Sequence, residues 1–170
     1  LPIWDTWSYT LDSSPGEGEG EGEGEGEGEG EGTTQWYVDL NAEGTPDGRT
    51  RATAFRTIQE AIDAAASGDR IEVADGSYIE DINFGGKDLY LTSTGPQVPF
   101  VVDSTVIMGG GDAPVVTFAG TESKECALTG FTIRNGSSSG DGGGIAGNGT
   151  HAVISWNTIR SNTATNGGGI

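Results

Sequence analysis

The chain is poor in the residues that carry most site chemistry: one cysteine, one histidine and eight basic side chains among 170 residues. A lone cysteine, Cys126, excludes an internal disulfide framework and a cysteine-based zinc site. His151 has no second histidine to work with and reads as a surface or turn residue. No stretch approaches the roughly 18 apolar residues of a membrane span. The scarcity of Lys and Arg leaves a net charge of -18. That balance argues against nucleic acid or an anionic membrane as a partner for the surface as a whole.

Glycine and glutamate, by contrast, are abundant and concentrated. From Gly16 to Gly32 the two alternate without a break. Neither face of such a run is apolar, glycine loses much backbone entropy on ordering, and neighbouring glutamates repel. A disordered, solvated spacer is expected over residues 16–34. Before it, "LPIWDTWSYTLDSSP" alternates apolar positions from Trp7 to Leu11, as a half-buried strand does. Residues 1–15 are expected to be the truncated tail of a preceding domain. Residues 33–170 keep sixteen acidic groups against all eight basic ones, so this part is acidic on its own account.

Within residues 35–170, "WYVDL" is a short strand candidate followed by a loop rich in Gly, Pro and Asp. Phe55, Ile58, Ile62 and Ala65 then recur at spacings of three, four and three, which predicts an amphipathic helix over 55–66. Thr53 is its expected N-cap and Gly68 its stop. Short apolar units follow: "RIEV" at 70–73, "INF" at 82–84, "LYL" at 89–91, "FVV" at 100–102 and "VVTF" at 115–118. No second helical period appears after Ala66. Many short strands at close spacing leave a sandwich, a barrel or a solenoid.

The last forty or so residues decide among these. "TIR" at 132–134 returns at 158–160, and "GGGI" at 142–145 returns at 167–170. A strand and a Gly-rich turn that recur together at one period predict stacked coils. The predicted fold is therefore all-β: a parallel β-solenoid whose first coil is covered by the helix at 55–66. "TATNGGGI" stops in mid-pattern, so the domain is expected to be the N-terminal part of a longer stack.

"YVDLNAEGTPDGRTRATAFRTIQEAIDAAASGDRIEVADGSY" resembles the N-terminal cap and first coil of right-handed parallel β-helix proteins of the pectin-lyase-like superfamily. "INFGGKDLYLTSTGP", "LTGFTIRNG", "GGGI" and "NTIRSN" look like the coils that follow. The resemblance implies a right-handed winding and a secreted or cell-surface bacterial protein, since Gly-Glu spacers resemble those of large multi-domain surface proteins. It implies no single activity, because the family includes polysaccharide lyases, glycoside hydrolases, epimerases and adhesins. In the lyases, carboxylates hold calcium and an Arg or Lys takes the sugar proton. No clustered aspartates occur here at repeat spacing, so no catalytic residue carries over, and calcium enters only if the protein is a lyase.

The repeat itself supplies the candidate site. Ile133 and Ile159 should stack inside, with Thr132, Thr158, Arg134 and Arg160 stacked outside. Two cations about 5 Å apart repel by roughly 0.8 kcal/mol even in water. Such a pair needs acidic neighbours or an anionic ligand, and an acidic glycan is the ligand expected. Asp103, Asp112 and Asp141 do not repeat and read as turn residues. "GGGIAG" at 142–147 matches a dinucleotide fingerprint but precedes no helical pattern, so it reads as a turn. Asn135 and Asn148, formal glycosylation sequons, read as turn chemistry too. Trp36, Tyr37 and Trp156 are read as packing residues ahead of sugar platforms. Three functions follow: a non-catalytic module facing polysaccharide, a lyase or hydrolase whose active coils lie past residue 170, or a self-associating adhesin. Its other partners are expected to be further domains of the same chain.

Overall fold

A computed structural model describes residues 32–170. The expectations for residues 1–15 and for most of the Gly-Glu run lie outside the described residues. Thr34, assigned to the spacer, is already tied in: its N–H donates to Asp69 Oδ1 at 2.8 Å and its carbonyl accepts from Arg70 N–H at 2.9 Å.

Strands dominate. In chain order the elements are β1 (Gln35–Val38), α1 (Ile58–Ala64), β2 (Arg70–Val73), β3 (Gly76–Ile79), β4 (Ile82–Asn83), β5 (Tyr90–Ser93) and α2 (Pro99–Ser104). Then come β6 (Thr105–Met108), β7 (Val116–Thr117), β8 (Ala127–Thr129), β9 (Thr132–Arg134) and β10 (Ser137–Asp141). The last are β11 (Ile145–Ala146), β12 (Val153–Ser155), β13 (Thr158–Arg160) and β14 (Thr163–Asn166). They form parallel sheets ordered β1-β2-β5-β8-β12, β3-β6-β9-β13, β4-β7-β11 and β10-β14, and among the described residues no sheet closes into a barrel.

The register explains the sequence pattern. Ile71, Leu91, Leu128 and Ile154 face one another across the first sheet. Tyr78, Ile107, Ile133 and Ile159 do so across the second, and Ile82, Val116 and Ile145 across the third. These columns meet in one core, in which Phe84 stacks on Phe118 at 4.5 Å. Burying each such side chain stabilises by about 1.5–3 kcal/mol. The turns between sheets leave backbone groups to satisfy, and asparagines supply the partners. Asn157 accepts from Phe131 N–H and donates to the Leu128 carbonyl, while Asn162 accepts from Gly136 N–H and donates to the Ile133 carbonyl.

The predicted helix forms, but shorter and with another cap. Thr57, not Thr53, is the N-cap: its side chain accepts from Glu60 N–H and the Glu60 carboxylate accepts from Thr57 N–H. Phe55 is held back from the helix by a parallel bridge to Val38, and Thr53 is spent in a turn with Thr50. Glu80 accepts from the N–H groups of Ile58 and Gln59, while Lys87 Nζ donates to the carbonyls of Ile62, Asp63 and Ala65. Both ends of a short helix are thereby satisfied by side chains from beyond it. Ile58, Ala61 and Ile62 turn inward, and α1 packs against β1, β2 and β4.

Two expectations fail. "FVV" at 100–102 is not a strand but the middle of α2, started by Pro99, whose fixed backbone suits a first helical turn. Thr105 Oγ1 and Ser104 Oγ both donate to the Val101 carbonyl and close the end of α2. Asp141, expected as a turn residue, instead ends the strand β10, which pairs with β14 and is held by an Asn166–Asp141 side-chain bond of 2.8 Å.

Candidate functional site

The second sheet places the repeated "TIR" units on adjacent strands. Thr132 lies against Thr158, Ile133 against Ile159 and Arg134 against Arg160. Parallel strands run about 4.8 Å apart, so the two arginines start from neighbouring backbone positions on one face. Ile133 and Ile159 turn to the core, as expected from the alternation along a strand.

Four of the six arginines in the chain are engaged by neighbours. Arg49 lies over the Trp36 ring at 3.9 Å and Arg70 over Tyr90 at 4.4 Å. Arg51 pairs with Glu72 at 2.5 Å, and Arg56 donates twice to the Ala42 carbonyl. Arg134 and Arg160 differ: among the described residues neither has a carboxylate within ion-pairing reach nor a hydrogen-bond acceptor. Arg134 Nε is shielded from water and without a partner, whereas Arg160 is exposed.

The two threonines part company. Thr132 is fully buried because α2 packs over this part of β9, and its hydroxyl donates to the Val102 carbonyl at 2.9 Å. It holds α2 in place and has no surface to offer. Thr158, one strand on, escapes this cover and opens into a cavity of about 270 Å³ between α2 and the turn that joins β12 to β13. Pro96, Pro99 and Val102 form one wall and Trp156 the other, with Gln97, Asp103 and Thr158 supplying polar groups. Asp103 is thus a helical residue lining this groove and not the turn residue expected.

The remaining candidates resolve individually. Trp36 is buried with its indole N–H on Asp69 Oδ2 at 2.9 Å, as its packing role requires. Cys126 is buried in the core, and desolvation pushes its thiol up to about 11, too high for a thiolate at neutral pH. His151 is exposed. Asn135 and Asn148 occupy left-handed backbone conformations, with φ of 62° and 48°, in line with turn chemistry. Among the described residues no three of His, Cys, Asp and Glu converge as a metal set would, and no helix is long and apolar enough to cross a membrane.

The groove wall formed by α2 was missed in the sequence because α2 itself was read as strand. Trp156 did leave a signal. Where one repeat has Gly130 before "FTIR", the next has Trp156 before "NTIR". Searches against protein-family models, curated proteins and solved structures find no match to this chain.

Proposed function

We propose that this domain is a right-handed parallel β-solenoid of the pectin-lyase-like kind, closed at its start by α1, whose β9/β13 face binds acidic polysaccharide without cleaving it. The chain's repeated visits to the first three sheets in one order support the winding. Parallel crossovers within a sheet are almost always right-handed. The packing of α1 on β1, β2 and β4 supports the cap. One observation carries the function. Arg134 and Arg160 stand in register, unlike every other arginine of the chain in having no partner among the described residues. A carboxylate set between the ends of the two guanidinium groups would relieve their repulsion. Thr158 adds a hydroxyl, and Thr132 leaves the proposed site. A secreted or surface-exposed protein is the setting that fits such a ligand.

The test is incubation of the full-length protein with polygalacturonate and alginate, with and without calcium. Ultraviolet absorbance of unsaturated uronate ends reports lyase turnover, reducing-end release reports hydrolysis, and affinity electrophoresis reports retention. Retention without new ends is expected. A calcium-dependent rise in absorbance would instead make this protein a lyase. Arg134→Ala combined with Arg160→Ala is expected to weaken retention by about 10- to 100-fold, two charge-assisted hydrogen bonds being worth roughly 1.5–3 kcal/mol each before solvent screening.

A further inference from the structure

Trp156 has a backbone φ of 57° and, as a residue, is 61% exposed in the described structure. One repeat earlier the same position is Gly130, with φ of 89°, where an added Cβ would run into Ser93 Oγ and Pro96. The turns from β8 to β9 and from β12 to β13 therefore both use a left-handed backbone at this position. Glycine adopts it without steric cost, and a bulky side chain does not. The indole lines a groove instead of joining the buried core. Strain of this kind, kept where the fold gains nothing from it, marks a functional position.

The groove beside Trp156 indicates what it is for. The indole faces a wall of Pro96, Pro99 and Val102 across a cavity of about 270 Å³. Few polar groups reach it. The Asn157 side chain is consumed by Phe131 and Leu128, which leaves Gln97, Asp103 and Thr158. Flat aromatic and apolar surfaces suit the C–H faces of a sugar ring, and a carboxylate with an amide and a hydroxyl suits its hydroxyl groups. Asp103 would repel a uronate.

We infer that the groove between α2 and Trp156 is a subsite for a neutral pyranose ring stacked on the Trp156 indole. This rests on the polysaccharide reading of the β9/β13 face and narrows it. Thr158 and Arg160 are two residues apart on one strand, about 7 Å, so one glycan chain can lie across both. The ligand class is then a polysaccharide in which neutral hexoses accompany uronates.

Calorimetric titration with cellohexaose, mannohexaose and galactohexaose as neutral probes, and hexagalacturonate as an acidic one, separates the two claims. At least one neutral hexaose is expected to bind. Trp156→Gly should weaken that binding at least tenfold while the melting temperature stays or rises, because glycine releases the backbone strain. Asp103→Ala should weaken it as well, and the double arginine variant should leave it within about twofold. Absence of binding to all three neutral probes, unchanged affinity in Trp156→Gly, or a lowered melting temperature in that variant would each overturn the subsite. Hexagalacturonate binding that is lost in the arginine variant would stand even then, so the subsite falls without the acidic face.

Discussion

Replacing Gly136 by alanine is expected to destabilise the protein by about 3 kcal/mol or more, at the upper end of what overpacking costs. Gly136 follows the turn after β9 and is buried. A Cβ there would overlap the Gly143 carbonyl oxygen and stand 2.8 Å from Val115 Cγ2. Neither side can yield cheaply. The Gly136 N–H is held by Asn162 Oδ1 at 2.8 Å and its carbonyl by Thr163 N–H at 2.9 Å. Across the gap, the Gly143 carbonyl accepts from Val115 N–H, which ties it to β7. Gly140→Ala is the control, since its nearest atom beyond the chain neighbours is Ser138 Oγ at 3.8 Å. Urea denaturation should place Gly136→Ala well below wild type and Gly140→Ala within about 0.5 kcal/mol of it. Equal midpoints for the two variants would show that the turn after β9 does not approach Gly143 as described.

Glu122→Ala should be similarly damaging, by about 3–5 kcal/mol, because three charge-assisted hydrogen bonds end on one buried carboxylate. Its Oε1 accepts from Gly86 N–H at 3.0 Å and Ala119 N–H at 2.7 Å, and its Oε2 from Gly120 N–H at 2.9 Å. Gly86 precedes β5 and the other two follow β7, so a single side chain pins successive turns of the chain together. Burial works to raise the Glu122 carboxyl, but these backbone donors outweigh it and hold it below its ordinary 4.5. Asp69 behaves alike: burial opposes ionisation, while Trp36, Ala66 and Thr34 donate and hold it below 3.8. A depressed carboxyl contributes stability that is complete above its unfolded value and lost as pH falls through its folded one. The acid limb of the stability curve should therefore lie below about pH 4.5, the ordinary value for Glu122. Glu80 opposes it, since burial raises its carboxyl despite the donors Ile58 and Gln59, and protonation there favours the folded state. The stability gap between wild type and Glu122→Gln should close as pH falls through that limb. A gap that stays constant from pH 7 to pH 3 would remove Glu122 from the linkage.

Much of the fold was legible, and for one reason: stacking in register repeats residues as well as backbone. "TIR" over "TIR" became β9 against β13, and "GGGI" over "GGGI" became a ladder in which Gly143, Gly144 and Ile145 donate to the carbonyls of Gly167, Gly168 and Gly169. The period of α1 was visible because Ile58 and Ile62 must share its buried face. Its start carried a local signal as well, Thr57 with Glu60 three residues on, whereas Val38, Glu80 and Lys87, which also fix its ends, are distant in sequence. Helix α2 was illegible for a like reason. Six residues that include two valines carry no helical period, and a bond from Thr132 in β9 fastens its last turn. The same omission hid the fate of Thr132. Of the site, the in-register arginines could be read directly, whereas the groove could not be seen without α2. Trp156 was visible as a break in the repeat, a tryptophan in a glycine's place. Its exposure needed the structure.

The most direct test of the acidic-glycan face is a titration of the isotope-labelled protein with hexagalacturonate, followed by nuclear magnetic resonance of backbone amides and arginine Nε–H groups. The Nε–H signals of Arg134 and Arg160 and the amide of Thr158 are predicted to move together and saturate at one concentration. Arg49, Arg51 and Arg70, held by Trp36, Glu72 and Tyr90, should stay where they are. Shifts at Arg49, Arg51 and Arg70 with none at Arg134 and Arg160 would contradict the assignment of the β9/β13 face.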